Sequence, residues 1–161
     1  MKTCCVIGHR DFCGNEEIKL KLKNKIIDLI EKDGVANFLF GSKSNFNKFC
    51  YDIVTELINN YANIKRVFVR AEYPIVSDNY INYLKGFYED SYFYSEKLMT
   101  NKFSHIRRNQ FMIDKSDICI FYYNEEYKPK TNTKSGTLLA YEYATKKGKR
   151  IFNVFNKEKE C

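Results

Sequence analysis

Phosphate groups are held by backbone amides at the start of a helix, helped by hydroxyls and by glycine, which lets the backbone come close. Lys134-Ser135-Gly136-Thr137-Leu138 supplies that set, with two hydroxyls around Gly136 and a helical stretch behind it whose small face includes Ala140 and Ala144. The same residues also suit an ordinary capped helix, being neither a Walker loop nor a complete dinucleotide fingerprint. Three further clusters bear on the choice. Gly8-His9-Arg10, Gly41-Ser42 and Arg70-Ala71-Glu72 each follow a short apolar run. Arg10 and Arg70 carry the planar fork that binds phosphate or carboxylate, and Glu72 can accept from sugar hydroxyls. The competing reading makes Arg70 and Glu72 a surface ion pair and gives Gly8 only a turn. Arg108-Asn109-Gln110 adds a guanidinium able to reach an anion. Asp117, at the start of a strand and so at its wrong end for a ligand, is read as fixing local backbone.

These residues are far apart in the chain, so a fold must gather them. Lys2 to Ile7 has the apolar run of a buried strand. From Glu16 to Lys32, Ile18, Leu22, Ile26, Leu29 and Ile30 recur at helical spacing, with Glu16 and Glu17 at the positive end. Asn37 to Phe40 predicts strand two. Phe46, Phe49, Cys50, Ile53, Val54, Leu57 and Ile58 mark the buried face of a second helix. Strand three is Lys65 to Val69, broken off by Pro74. Ser77 to His105 is aromatic and polar without one clean period, and is read as a short helix with irregular insertions. Ile106 to Lys115 reads as a helix, Ile118 to Tyr123 as strand four, Gly136 to Lys147 as a helix and Arg150 to Val154 as strand five. Alternating strands and helices predict an α/β fold: a Rossmann-like three-layer sandwich around a mainly parallel sheet of about five strands. Such sheets bind ligands beyond the carboxyl ends of their strands. One domain over residues 1–161, with an aromatic-rich insertion near 77–105, accounts for the length.

Composition narrows the classes. Apolar residues form 44% of the chain and charged ones 29%, and no stretch approaches the ~20 apolar residues of a membrane span. The apolar run within Met1 to Ile7 is too short for a secretory leader, so the expected compartment is the cytoplasm. The six cysteines form no repeated Cys-x-x-Cys framework, and free thiols are the simpler expectation. Cys5, His9 and Cys13 lack a fourth ligand, so neither a metal nor another cofactor is expected. The net charge of +7 favours anions without specifying nucleic acid. The 13 Tyr and 13 Phe are assigned to core, interface or groove walls, and the expectation is against extended nucleic-acid binding.

Cys5-Val6-Ile7-Gly8-His9-Arg10, Val69-Arg70-Ala71-Glu72-Tyr73-Pro74, Arg108-Asn109-Gln110-Phe111-Met112 running on to Asp117, and Ser135-Gly136-Thr137 leading into Tyr141-Glu142-Tyr143-Ala144 together resemble the SLOG superfamily. This is the Rossmann-like group of DprA-like and LOG-like proteins, and the resemblance is to its small YpsA-like bacterial members. It implies binding or sensing of a nucleotide or nucleotide-derived ligand. The LOG phosphoribohydrolases and the similar nucleoside deoxyribosyltransferases add an alternative, cleavage or transfer at an N-glycosidic bond, using a glutamate shortly after the Gly-Thr element. Here Ala140 stands in that place. Glu142 lies two residues on, roughly 200° around the helix. Glu72 and Glu142 are the available carboxylates. A third reading makes Tyr80 to Tyr94 a partner surface or homo-oligomer contact. The expected ligand set is Gly8, His9, Arg10, Gly41, Ser42, Arg70, Glu72, Arg108, Asn109, Ser135, Gly136 and Thr137, around a nucleotide-like small molecule.

Overall fold

The computed structural model describes residues 1–97, 101, 103–128 and 134–159. The order of elements is β1 (Lys2–Gly8), α1 (Glu16–Glu31), β2 (Val35–Phe40), α2 (Asn45–Ile58), β3 (Lys65–Arg70), α3 (Asp78–Lys85), β4 (Asp90–Phe93), α4 (Ser104–Asp114), β5 (Ile118–Tyr122), α5 (Gly136–Lys146) and β6 (Arg150–Asn153). All strand pairs are parallel, in the order β4-β3-β2-β1-β5-β6. The chain therefore winds outward from β1 to β4, then crosses back to lay β5 on the other side of β1. The winding reverses between β1 and β5.

Strand alternation divides the core. Cys4 and Val6 of β1 join Phe38, Phe40, Ile118 and Ile120 beneath Leu22, Ile26 and Leu29 of α1 and Cys50, Ile53 and Leu57 of α2. Their neighbours Cys5 and Ile7 face the other way, toward Met112 and Ile113 of α4 and Ala140 and Ala144 of α5. One parallel sheet with helices on both faces is the three-layer arrangement that the apolar pattern predicts.

The sheet has one strand more than the sequence pattern shows. β4 lies inside the aromatic-rich segment and pairs in register with β3, Val67 opposite Asp90 and Arg70 opposite Phe93. At four residues, half-buried on its inward positions and at the sheet edge, it carries neither a run nor an alternation that stands out. α3 ahead of it is equally hard to read, because Leu84 is its single buried residue. Residues 98–100 and 102 of that segment lie outside the described residues.

Local chemistry fixes the element ends. The Asn15 side chain accepts from the Ile18 amide at 2.8 Å, and the Ser44 hydroxyl from Asn47 at 3.1 Å, capping α1 and α2. Asp117 performs the backbone role expected of it: its carboxylate accepts from the Thr3 amide at 2.9 Å, and its own amide donates to Thr3 O at 2.8 Å, tying β1 to β5. Cys4, Cys5, Cys50 and Cys119 are free and buried. Cys13 is disulfide-bonded and sits exposed in the β1–α1 loop, which corrects the expectation of free thiols at that position. No helix among the described residues is long and apolar enough to cross a membrane.

Candidate functional site

β1, β2 and β3 all end on the same side of the sheet, and the loops that follow them surround a cavity of about 320 Å³ together with α4 and the start of α5. The walls include Gly8, His9 and Arg10 after β1, Gly41 and Ser42 after β2, and Arg70 and Glu72 at and after β3. Arg108 and Asn109 of α4, and Ser135, Gly136 and Thr137 at the entry of α5, complete the expected set. The volume lies at the small end of the range for ligand pockets, roughly 300–1,000 Å³.

Glycine is required at two of these positions. A Cβ on Gly41 would stand 2.7 Å from both Arg108 Nε and Met112 Sδ, and one on Gly8 would enter the Phe46 ring. Close packing, not backbone strain, explains both glycines; neither has a positive φ. Asn47 then sets the loop between β2 and α2. It is buried, its Oδ1 accepts from the amides of Gly41 and Ser42 at 3.3 Å each, and its Nδ2 donates to Val6 O at 3.1 Å. One side chain thus ties the ends of β1 and β2 together beneath the cavity floor. A single Asn on a helix surface carries no visible pattern, so nothing in the sequence marks it.

Arg108 is 6% exposed. Its Nη1 donates to Gly41 O, and its Nη2 and Nε approach Asn109 Oδ1 at 3.2 and 3.4 Å. Burial holds the guanidinium down to about 10, with Glu72 the opposing influence. His105 lies beside it, Nδ1 3.5 Å from Arg108 Nη1. Partial burial, and then the Arg108 charge, push the His105 imidazole below its ordinary value. Arg70 donates from Nη1 to Tyr73 O at 3.1 Å, while its buried Nε has no hydrogen-bond partner among the described residues.

On the β1 side, His9 is buried. Its Nε2 accepts from the Asn124 amide at 3.1 Å, and burial lowers its pKa. Tyr127 stacks on the imidazole, centroids 4.2 Å apart, and donates to Asp11 at 3.2 Å. At the α5 side, Ser135 accepts from the Leu138 amide at 3.0 Å as N-cap, and Thr137 is buried against the cavity. The cap and the anion cradle, set against each other as readings of the sequence, are compatible here: capping uses the Leu138 amide and leaves Gly136 and Thr137 on the wall.

Two residues weighed for catalysis fall elsewhere. Glu142 is exposed, 3.5 Å from Lys134, and does not line the cavity. Ala140 is buried among Phe121, Cys119 and Ile113 under the sheet. Glu72 is the one carboxylate among the described lining residues. Sequence reasoning missed Lys43, Ser44, Tyr73, Tyr80, His105 and Tyr127, which also line the cavity. The tyrosines come from segments without a period, and His105 differs from any surface histidine only through its neighbours. No group of three or more metal-ligating side chains occurs among the described residues.

A parallel sheet whose winding reverses beside a cavity at the strand ends defines a Rossmann-like α/β protein. The model of the YspA SLOG family (YpsA) matches residues 10–158, and the chain belongs to that family. Solved structures of DNA processing protein A (DprA) share its fold. The Streptococcus pneumoniae structure aligns at a TM-score of 0.61 with 14% identity, covering 94% of this chain and 50% of that one. The Helicobacter pylori structure aligns at 0.57 with 20% identity, covering 94% and 64%. The chain thus spans about half to under two thirds of their lengths. No curated protein matches the sequence. The Helicobacter pylori protein was described for its single-stranded DNA binding mode. That finding corrects the expectation against extended nucleic-acid binding, which rested on placing the aromatic residues in core and groove walls. Tyr73, Tyr80, Tyr83 and Phe87 are in fact exposed.

Proposed function

We propose that this chain binds a nucleotide or nucleotide-derived, phosphate-bearing ligand, in a sensing or carrying role. The observation that supports it most is convergence: residues from five separate segments, three of them bearing arginines, line one cavity. In this reading Gly136 and Thr137 hold phosphate with Arg10 beside them, since exposed amides at a helix start favour an anion. Arg70, Glu72 and Arg108 take the remaining polar groups. Calorimetry across nucleoside monophosphates, ADP-ribose, nicotinamide dinucleotides, cyclic nucleotides and a short single-stranded oligonucleotide tests it. Phosphate-dependent binding, weakened in Thr137→Ala and Arg10→Ala, is the expected result. Binding that ignores both substitutions, or no binding at all, refutes the reading.

A second reading, cleavage of an N-glycosidic bond, draws support from Glu72 alone, because that carboxylate lines the cavity and Glu142 does not. Release of free base from nucleoside monophosphates, lost in Glu72→Gln and kept in Glu142→Gln, would favour it over passive binding.

A further inference from the structure

The aromatic residues that follow β3 divide into two groups. Tyr88 packs against Tyr51 and Phe68, with ring centroids 5.2 and 5.1 Å away, and Tyr94 is buried. Tyr80, Tyr83 and Phe87 face solvent instead, 37%, 60% and 44% exposed. They recur at i, i+3 and i+7 and so form one stripe along α3 and the turn after it. Tyr80 and Tyr83 are offset-stacked, with centroids 6.2 Å apart and planes 18° from parallel, and Phe87 lies 5.0 Å beyond Tyr83. Apolar residues exposed singly need no explanation, but a contiguous exposed row marks an interaction surface.

The row is fixed at both ends and begins at the cavity. The Ser77 hydroxyl accepts from the Tyr80 amide at 3.2 Å, and Tyr51 OH donates to Phe87 O at 2.7 Å. Tyr80 stands on the cavity wall, whereas Tyr83 and Phe87 lie beyond it. That wall carries Arg10, Lys43, Arg70 and Arg108 against Glu72 among its described residues. Lys85 stands in the last turn of α3, opposed by Asp78 in the first. Cations beside a row of rings suit a chain that alternates phosphates with flat bases, because every base offers a π-face. A second copy of this protein, with its net charge of +7, would instead bring like charge to the same wall. Spacing distinguishes the form of nucleic acid. Bases in a duplex rise about 3.4 Å per step, less than either ring-to-ring interval, and turn their faces to one another, whereas a single strand splays its bases onto aromatic side chains.

Resting on the nucleotide reading of this cavity, we infer that the ligand is a single-stranded oligonucleotide whose bases stack on Tyr80, Tyr83 and Phe87 as the strand leaves the cavity. One nucleotide occupies the cavity, and its neighbours in the strand follow the stripe of α3.

Calorimetry on the whole chain with 5′-phosphorylated adenylates, from mononucleotide to tetranucleotide and in both deoxyribose and ribose series, tests the inference. The trinucleotide of at least one series should bind about 5-fold or more tighter than its mononucleotide, the size of one base–aromatic stack. The series with the larger gain identifies the strand as DNA or RNA. Tyr83→Ser, at an exposed ring outside the cavity, should bring the gain down to about one to two and leave mononucleotide affinity unchanged, with the fold checked by circular dichroism. Tyr83→Phe should keep the gain, because stacking needs the ring and not the hydroxyl. Equal affinity for mononucleotide and trinucleotide overturns the inference and leaves the nucleotide reading standing. So does a gain that survives Tyr83→Ser, which would come from the added phosphates alone. Light scattering that finds a dimer dissolved by Tyr83→Ser gives the row to a second copy of the chain and also overturns it. Failure of every probe overturns both readings.

Discussion

Asn47 offers a direct test of how the cavity floor is built. Replacing it with alanine removes the acceptor shared by the Gly41 and Ser42 amides and the donor to Val6 O. Ser42 is half-buried and its amide can turn to water, but Gly41 and Val6 are buried. Two groups are thus left unsatisfied, each costing about 1–3 kcal/mol. The 3.3 Å bond to Gly41 is long, which favours the lower part of that range for the amide. A total of about 2–4 kcal/mol follows, or a fall in Tm of roughly 5–15 °C for a domain of this size. Ser44→Ala, which removes the α2 cap and the acceptor of the Ser42 hydroxyl, should cost about 1 kcal/mol and sets the scale. Urea unfolding with an unchanged m-value gives both numbers, and calorimetry should show weaker ligand binding for Asn47→Ala at temperatures where it is folded. If Asn47→Ala costs no more than Ser44→Ala, the ends of β1 and β2 are held by something other than this side chain.

Other consequences follow from the same geometry. Gly41→Ala forces Arg108 and Met112 to move from their 2.7 Å contacts, so overpacking of about 1–3 kcal/mol in chemical denaturation should accompany a loss of ligand affinity. His9 titrates below its ordinary value of 6.5 because it is buried, so its neutral form is the one the fold holds. Its contribution to stability is complete above that pH and is lost as pH falls below it, since the unfolded chain takes up the proton first. Urea midpoints between pH 7.5 and 5 should therefore decline in the wild type and decline less in His9→Gln, and identical slopes would remove His9 from the account. Ala140→Glu places a carboxylate under the sheet among Phe121, Cys119 and Ile113. It should destabilise the protein by several kcal/mol without creating glycosidic cleavage, and a stable, active variant would contradict the assignment of Ala140 to the core.

The fold was legible in the sequence where burial is one-sided or continuous. β1, β2 and β5 are apolar runs, and α1 and α2 present Leu22, Ile26, Leu29, Cys50, Ile53 and Leu57 on single stripes. β4 and α3 were not, because an edge strand with half-buried positions and a helix with one buried residue leave no period to detect. Within the site, the glycines, arginines and hydroxyls could be picked out because their types are unusual at strand ends. Asn47, His105 and Tyr127 could not. Asn47 and Tyr127 depend on partners far along the chain, Val6 and His9, while His105 gains its place from the burial of Arg108, one helical turn away, which only the fold creates.

The position of Ala140 also bears on why this cavity is read as a binding site. α5 enters at the cavity with Gly136 and Thr137, then turns its inward stripe, Ala140 and Ala144, onto the sheet. Residue 140 lies one turn beyond Thr137, about 4.5 Å further along the axis at 1.5 Å per residue, and small side chains there let helix and sheet approach closely. The stripe that would aim a carboxylate at a bound sugar is spent on packing. Glu142, on the outer face, pairs with Lys134 instead. What remains among the described lining residues is cationic or neutral except for Glu72, an exposed carboxylate whose charge acts on Arg108 and His105. A wall so composed attracts anions strongly, yet supplies little to stabilise the positive charge that develops on a sugar as its glycosidic bond breaks. In the reading proposed above, charge therefore favours holding an anionic ligand over cleaving it.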